Sequence, residues 1–189
     1  MKKFELTSET KINIFGKKLF RIKALVSFGV VKTGETGGWV EKEENVNQSG
    51  DAWVFDNAEV FDNARVFGNA EVSGNARVFG NAEVFGNAWV SGNARVFGNA
   101  EVSDNAWVSG NAEVSDNADY ATIHGFGTQF RTTTFFRCKD KQVKVSCGCF
   151  YGTIPEFCEQ VKNTRKGKIA EEYLMIADLM EKHFAEEAK

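Results

Sequence analysis

Between Val54 and Val114 a valine falls at every sixth position without a slip: Val54, Val60, Val66, Val72, Val78, Val84, Val90, Val96, Val102, Val108 and Val114. Each belongs to the frame Ala-x-Val-[Phe/Ser]-[Gly/Asp]-Asn. Alanine and valine are two residues apart, so in an extended chain they point to one side and the x residue points to the other. The [Gly/Asp]-Asn pair consists of types that tolerate left-handed and turn conformations, and it marks a corner. A six-residue unit cannot bury its apolar side alone, so the units must stack, and a period this strict predicts a β-solenoid. Three units make one coil, residues 18 apart align at about the 4.8 Å strand spacing, and the repeated asparagines form ladders. Alanine and valine keep such a core narrow and filled.

Outside the valine run the pattern changes. The frame can be followed back through Gly50-Asp51-Ala52, Glu44-Asn45-Val46 and Val40, which starts the solenoid near Gly37. Residues 1–36 alternate around a turn at Phe15-Gly16-Lys17-Lys18 and read as a β-hairpin cap, the usual means of closing the apolar end of a solenoid. The repeat stops at Ala118, with Tyr120 in the next valine place, and the solenoid is assigned to 37–124. Residues 125–189 read as a ββαα module docked on its C-terminal end: strands over 131–138 and 142–150, then a capping box at Thr153-Ile154-Pro155-Glu156 opening a helix with Phe157, Cys158 and Val161. A last amphipathic helix carries Ile169, Tyr173, Ile176, Ala177, Met180 and Phe184.

Charge divides along the same lines. Residues 1–41 carry a net +4, residues 42–120 a net −9 and residues 121–189 a net +2, summing to −3. An acidic shaft argues against nucleic-acid binding along the repeat, because the phosphate term requires clustered Lys and Arg. The N-terminus has no apolar leader-like segment and no apolar run approaches the length a bilayer requires, so the expectation is a cytoplasmic protein with no membrane partner.

These repeats resemble the hexapeptide-repeat proteins, among them the YdcK-type β-solenoid with its Gly-Asn-Ala-x-Val units. That resemblance implies a mainly β fold built on a single-stranded left-handed β-helix, and it alone supplies the handedness. One departure is that Phe55, Phe61, Phe67, Phe79, Phe85 and Phe97 stand where many hexapeptide acyltransferases have a small residue. The phrase Gly34-Glu35-Thr36-Gly37-Gly38-Trp39-Val40-Glu41-Lys42-Glu43, the repeats and a Cys147-Gly148-Cys149-Phe150 tail together resemble a group of proteins encoded by phages and prophages of Gram-positive bacteria. Such a setting implies a counter-defence role: binding and blocking a host immune effector such as a CRISPR nuclease complex (an anti-CRISPR) or a nucleotide-signalling system.

The outward positions carry the candidate site. With a period of 18, Trp53, Glu71, Trp89 and Trp107 form one column and Phe61, Phe79 and Phe97 another, beside expected Glu59–Arg77 and Arg95–Glu113 pairs. The third face offers Arg65, Glu83, Glu101 and Asp119 and is acidic. The aromatic columns, with Glu83 and Glu101, are candidates for a protein interface, self-association into a homo-oligomer included. The competing reading is aromatic ladders that only stabilise the shaft. Cys138, Cys147, Cys149 and Cys158 suggest zinc by number, but Cys147-Gly148-Cys149 is tighter than the usual ligand spacing and buried free thiols fit better. No histidine lies in the repeats to serve as the general base of an acyltransferase, and His124 is a lone candidate at the junction. The reading is therefore a non-enzymatic protein-binding solenoid without cofactor or metal, with an acyltransferase and a structural or assembly protein as alternatives.

Overall fold

The computed structural model describes residues 2–185. From Trp53–Val54 to Glu113–Val114 the chain forms eleven strands of two residues each, arranged as three parallel sheets. Val60 pairs with Val78, Val78 with Val96 and Val96 with Val114, so the coil is 18 residues and the β-solenoid has about four turns. Backbone N–H groups of one coil donate to carbonyls of the next, as Trp53 N does to Ala70 O at 3.0 Å. The repeat alanines and valines, Ala52 to Val114, are all buried and form one continuous core. Each removes its side chain from water, and a fully buried valine contributes roughly 1.5–3 kcal/mol relative to an exposed one.

The corners follow from the Gly-Asn pair. Gly68 and Gly86 adopt φ of +70° and +68°, and a Cβ on Gly68 would lie 3.1 Å from the Gly86 backbone, so glycine meets both the left-handed dihedral and the close stacking. Asp56, Asp62 and Asp104 hold the same corner at φ of 53°, 58° and 60°. Asparagine ladders run along all three corners, as in Asn63–Asn81–Asn99, where each amide Nδ2 donates to the next Oδ1 at 3.2 and 3.1 Å.

The first coil departs from the period. Val40 pairs with Val60 and Val46 with Val66, each 20 residues on, because two extra residues lie between Val46 and Val54. Asn45 is buried there, and its amide donates to Ala64 O at 2.8 Å, standing in for a strand N–H.

Each end of the solenoid is closed by a different device. At the N-terminal end, Phe4–Ile12 and Lys18–Ala24 form the expected antiparallel hairpin, and Lys18–Ala24 pairs antiparallel with Thr36–Val40, which in turn pairs parallel with Glu59–Val60. The hairpin thereby extends one solenoid sheet, while Phe4, Ile22, Ala24 and Val31 join its core. Lys3, only 4% exposed, donates its ammonium to Ala52 O at 2.8 Å and Gly50 O at 3.2 Å, first-coil carbonyls that have no preceding coil to pair with.

The C-terminal module has four strands, not two. Tyr120–Phe126, Arg131–Arg137, Val143–Cys147 and Phe150–Thr153 form an antiparallel sheet in that order, followed by α1 (Ile154–Thr164) and α2 (Gly167–Phe184). The expected boundary at 124/125 therefore cuts a strand: Tyr120 to Ile123 lack the corner residues and pair with Phe136 to Thr133. The expected strand over 142–150 is likewise broken, because Gly148 at φ +61° turns the chain into a second hairpin. The strand Arg131–Arg137 joins the two cores, with Phe136 packed in the solenoid and Phe135 against Val145 and Phe157 of the module. Trp107 N donates to Thr134 Oγ1 at 3.0 Å across this junction. Among the described residues, no helix is long and apolar enough to cross a membrane.

Candidate functional site

The aromatic columns exist in register, but the caps divide them. Trp53 is fully buried, with Phe4 and Phe28 set edge-on against its ring at centroid distances of 5.8 and 5.3 Å. Gly37 makes that possible, since a Cβ there would lie 2.6 Å from the indole. Phe61, 1% exposed, sits with Leu19 and Trp39 beneath the same hairpin. Neither residue can meet a partner, and both leave the expected interface. The cause is the N-terminal cap, whose aromatic side chains cover the first coils.

Further along, Phe79 stacks on Phe61 and on Phe97 at 5.0 and 5.1 Å, while Phe15 of the hairpin turn packs on Phe61 and Phe79 at 5.5 and 5.2 Å. The Arg95 guanidinium lies over Phe79 and Phe97 at 5.5 and 5.2 Å and pairs with Glu113 at 2.5 Å. The expected Glu59–Arg77 pair is present at 3.4 Å, and Lys11 of the hairpin joins it, 2.8 Å from the buried Glu59. With Phe61 buried, Phe79 and Phe97 half-buried and Arg95 lying over the last two rings, this column has the arrangement of a ladder along the shaft.

The other column keeps an open stretch. Trp89 and Trp107 stack at 5.0 Å with their planes within 8°, and Trp89 is 41% exposed. The Trp89 indole N–H donates to Ser73 Oγ at 3.0 Å, which fixes the ring across the face. Trp107 is half-buried where the C-terminal module begins. Together they offer a flat, pre-ordered aromatic surface on which a partner side chain can pack at little entropic cost.

The acidic face is smaller than expected. Glu83 is half-buried and pairs with Arg65 at 3.4 Å, while Glu101 is exposed. Asp119 does not continue the column: the chain turns at Asn117–Asp119, and its carboxylate accepts from Ser115 N and Oγ at 2.8 and 2.7 Å and pairs with Arg137 at 3.4 Å.

The remaining candidates are scattered. Cys138 is buried at the junction and its thiol is pushed up to about 11, chiefly by desolvation with Asp140 adding to it, so it stays protonated and inert at neutral pH. Cys147 accepts from Thr133 Oγ1 at 3.1 Å, Cys149 is exposed in the turn made by Gly148, and Cys158 lies on α1. Among the described residues, no three His, Cys, Asp or Glu side chains are placed to hold a metal ion. His124 is exposed beside Thr132, 3.2 Å from its hydroxyl, and His183 packs edge-on against Phe184.

One site has no counterpart in the sequence reading. Within the C-terminal module, a groove of about 680 Å³ runs between the Cys147–Phe150 turn and the helices, with Arg131 and Arg165 among its walls. Gly148 between Cys147 and Cys149, a position expected to lie within a strand, was the only signal for it in the sequence. No protein-family model matches the chain, and no curated protein matches it in sequence.

Proposed function

We propose that this β-solenoid is a non-enzymatic binding protein whose partner is another protein, held on the outer face around Trp89 and Trp107. The observation that carries this reading is the stacked Trp89–Trp107 pair with its Trp89 ring exposed, in contrast to Trp53, which is sealed at the same repeat position. Stacked indoles at a fixed spacing are the kind of aromatic anchor that dominates protein interfaces. Exposed Glu101, on the neighbouring sheet, would favour a partner with basic residues at the rim. The resemblance of the opening phrase and the Cys-Gly-Cys-Phe tail to phage and prophage proteins directs the search to bacterial defence effectors, with the shaft acting as an inhibitor.

The test is capture from a bacterial lysate by the immobilised protein, compared with a Trp89→Ser variant of unchanged circular dichroism. A specific partner retained by the parent and lost from the variant supports the reading. Capture of nothing but further copies of the same chain, or a partner indifferent to Trp89, would sink it.

A further inference from the structure

We propose that the groove of the C-terminal module is a binding site for a small phosphate ester carrying a planar ring, the chemistry of a mononucleotide or an aryl phosphate. The groove, at about 680 Å³, has the size of a small-molecule site. Among the described residues its charged lining groups are Arg131 and Arg165 and no carboxylate lines it, so the charge at the groove comes from two guanidinium groups. A guanidinium presents paired donors that match a phosphate, which makes two of them at one groove a stronger signal than scattered lysines.

The Arg131 side chain lies against the Gly148 turn. Gly148, at φ +61°, has no side chain, and the Arg131 side chain occupies the place a Cβ would take: its Cδ and Cζ would lie 3.3 and 3.4 Å from that atom, and Nη1 closer still. The tight turn pairs the strands Val143–Cys147 and Phe150–Thr153 and, lacking a side chain at Gly148, leaves room for the Arg131 side chain beside it.

Beneath the groove lie apolar and aromatic side chains, of which Phe150 is half-buried and Phe157, Val161 and Tyr173 are buried. Phe150, Phe157, Val161 and Tyr173 line it, with Phe150 5.4 Å from Phe157 and Phe157 edge-on to Tyr173 at 5.7 Å. Tyr173 is itself fixed, since its hydroxyl donates to Phe126 O at 3.2 Å. Burial, with Cys147 adding to it, raises the Tyr173 hydroxyl above its usual range, while Arg165 and Arg131 act on it in the opposite sense. A planar group laid on this floor leaves its phosphate toward the arginines, and Gln129, Gln160, Thr128 and Thr164 supply neutral hydrogen-bonding groups around it. The site is remote from Trp89 in sequence and uses none of the solenoid's side chains, so it stands or falls independently of the partner surface.

Calorimetric titration of the full chain with AMP, phenyl phosphate, inorganic phosphate and adenosine tests the proposal. Saturable binding of AMP or phenyl phosphate is expected, with inorganic phosphate and adenosine each weaker by about tenfold or more, since each lacks one half of the recognised chemistry. AMP binding more tightly than phenyl phosphate assigns a nucleotide; equal binding assigns aryl phosphates generally. Arg131→Gln and Arg165→Gln, both at exposed positions and checked by circular dichroism, are expected to weaken the AMP or phenyl phosphate interaction about tenfold each. No saturable binding of either ester at millimolar concentration, binding unchanged in both variants, or inorganic phosphate binding as tightly as the esters would overturn it.

Discussion

Trp53 and Trp89 occupy the same place in the repeat, two coils apart on one sheet, yet the first is fully buried and the second 41% exposed. The tripeptides around them, Ala52-Trp53-Val54 and Ala88-Trp89-Val90, are identical, and the rest of their hexapeptides differs only in Phe55-Asp56 against Ser91-Gly92. The difference comes from chain that is distant in sequence, with Phe4 and Phe28 closing over Trp53 while Trp89 lies beyond the reach of the hairpin. In a solenoid the repeat sets the direction of a side chain, and the terminal elements decide whether that side chain meets water.

The sharpest way to break the comparison is to truncate the two rings in turn. Trp53→Ala empties a sealed space between Phe4, Phe28 and the first coil, and a cost of about 3–5 kcal/mol is expected because the cap cannot fully collapse onto an alanine. Chemical denaturation followed by circular dichroism measures it. A cost under about 1 kcal/mol would mean that the hairpin does not seal the N-terminal end.

A smaller effect is expected from the cation beneath the same cap. Lys3 is lowered from 10.5 to about 8, mainly by desolvation, with Asp51 opposing the shift. Between about pH 8 and 10.5 the unfolded chain retains a proton that the folded chain has released, so this group makes stability rise with pH across that window. The neutral amine can still donate to Ala52 O and Gly50 O. Denaturation at pH 7.5 and pH 10 should show the parent gaining on the order of 1–2 kcal/mol relative to Lys3→Met. Equal pH dependence in the two proteins would show that the ammonium is not desolvated.

What the sequence disclosed and what it hid separate along the same line. The core valines and alanines, the Gly-Asn corners, the Asn63–Asn81–Asn99 ladder and the Arg95–Glu113 pair were legible because a fixed period sets the register of every coil. Features that depend on non-repeating chain were not. The 20-residue first coil and the strand Tyr120–Phe126 arise where the period fails, whereas Trp53 and Phe61 keep the period and are buried by cap residues far away in sequence. Asp119 keeps its place in the count but not on the face, because its carboxylate is drawn to Ser115 and Arg137. The groove beside Arg131 was hidden for the same reason, since Gly148 and Arg131 meet only when the hairpins form.

The other half of the comparison carries the smallest expected change in stability and the most information about function. Trp89→Ala removes a stacking partner of Trp107 and one hydrogen bond to Ser73, both at a face open to water, so about 1 kcal/mol or less is expected. An aromatic ladder that serves only the shaft would make Trp89 resemble Trp53 in its cost and leave partner capture unchanged. A recognition surface gives the reverse: a protein nearly as stable as its parent that no longer holds its partner. Measuring stability and capture on the same Trp89→Ala sample decides between them, because each role predicts a change in one quantity and its absence in the other.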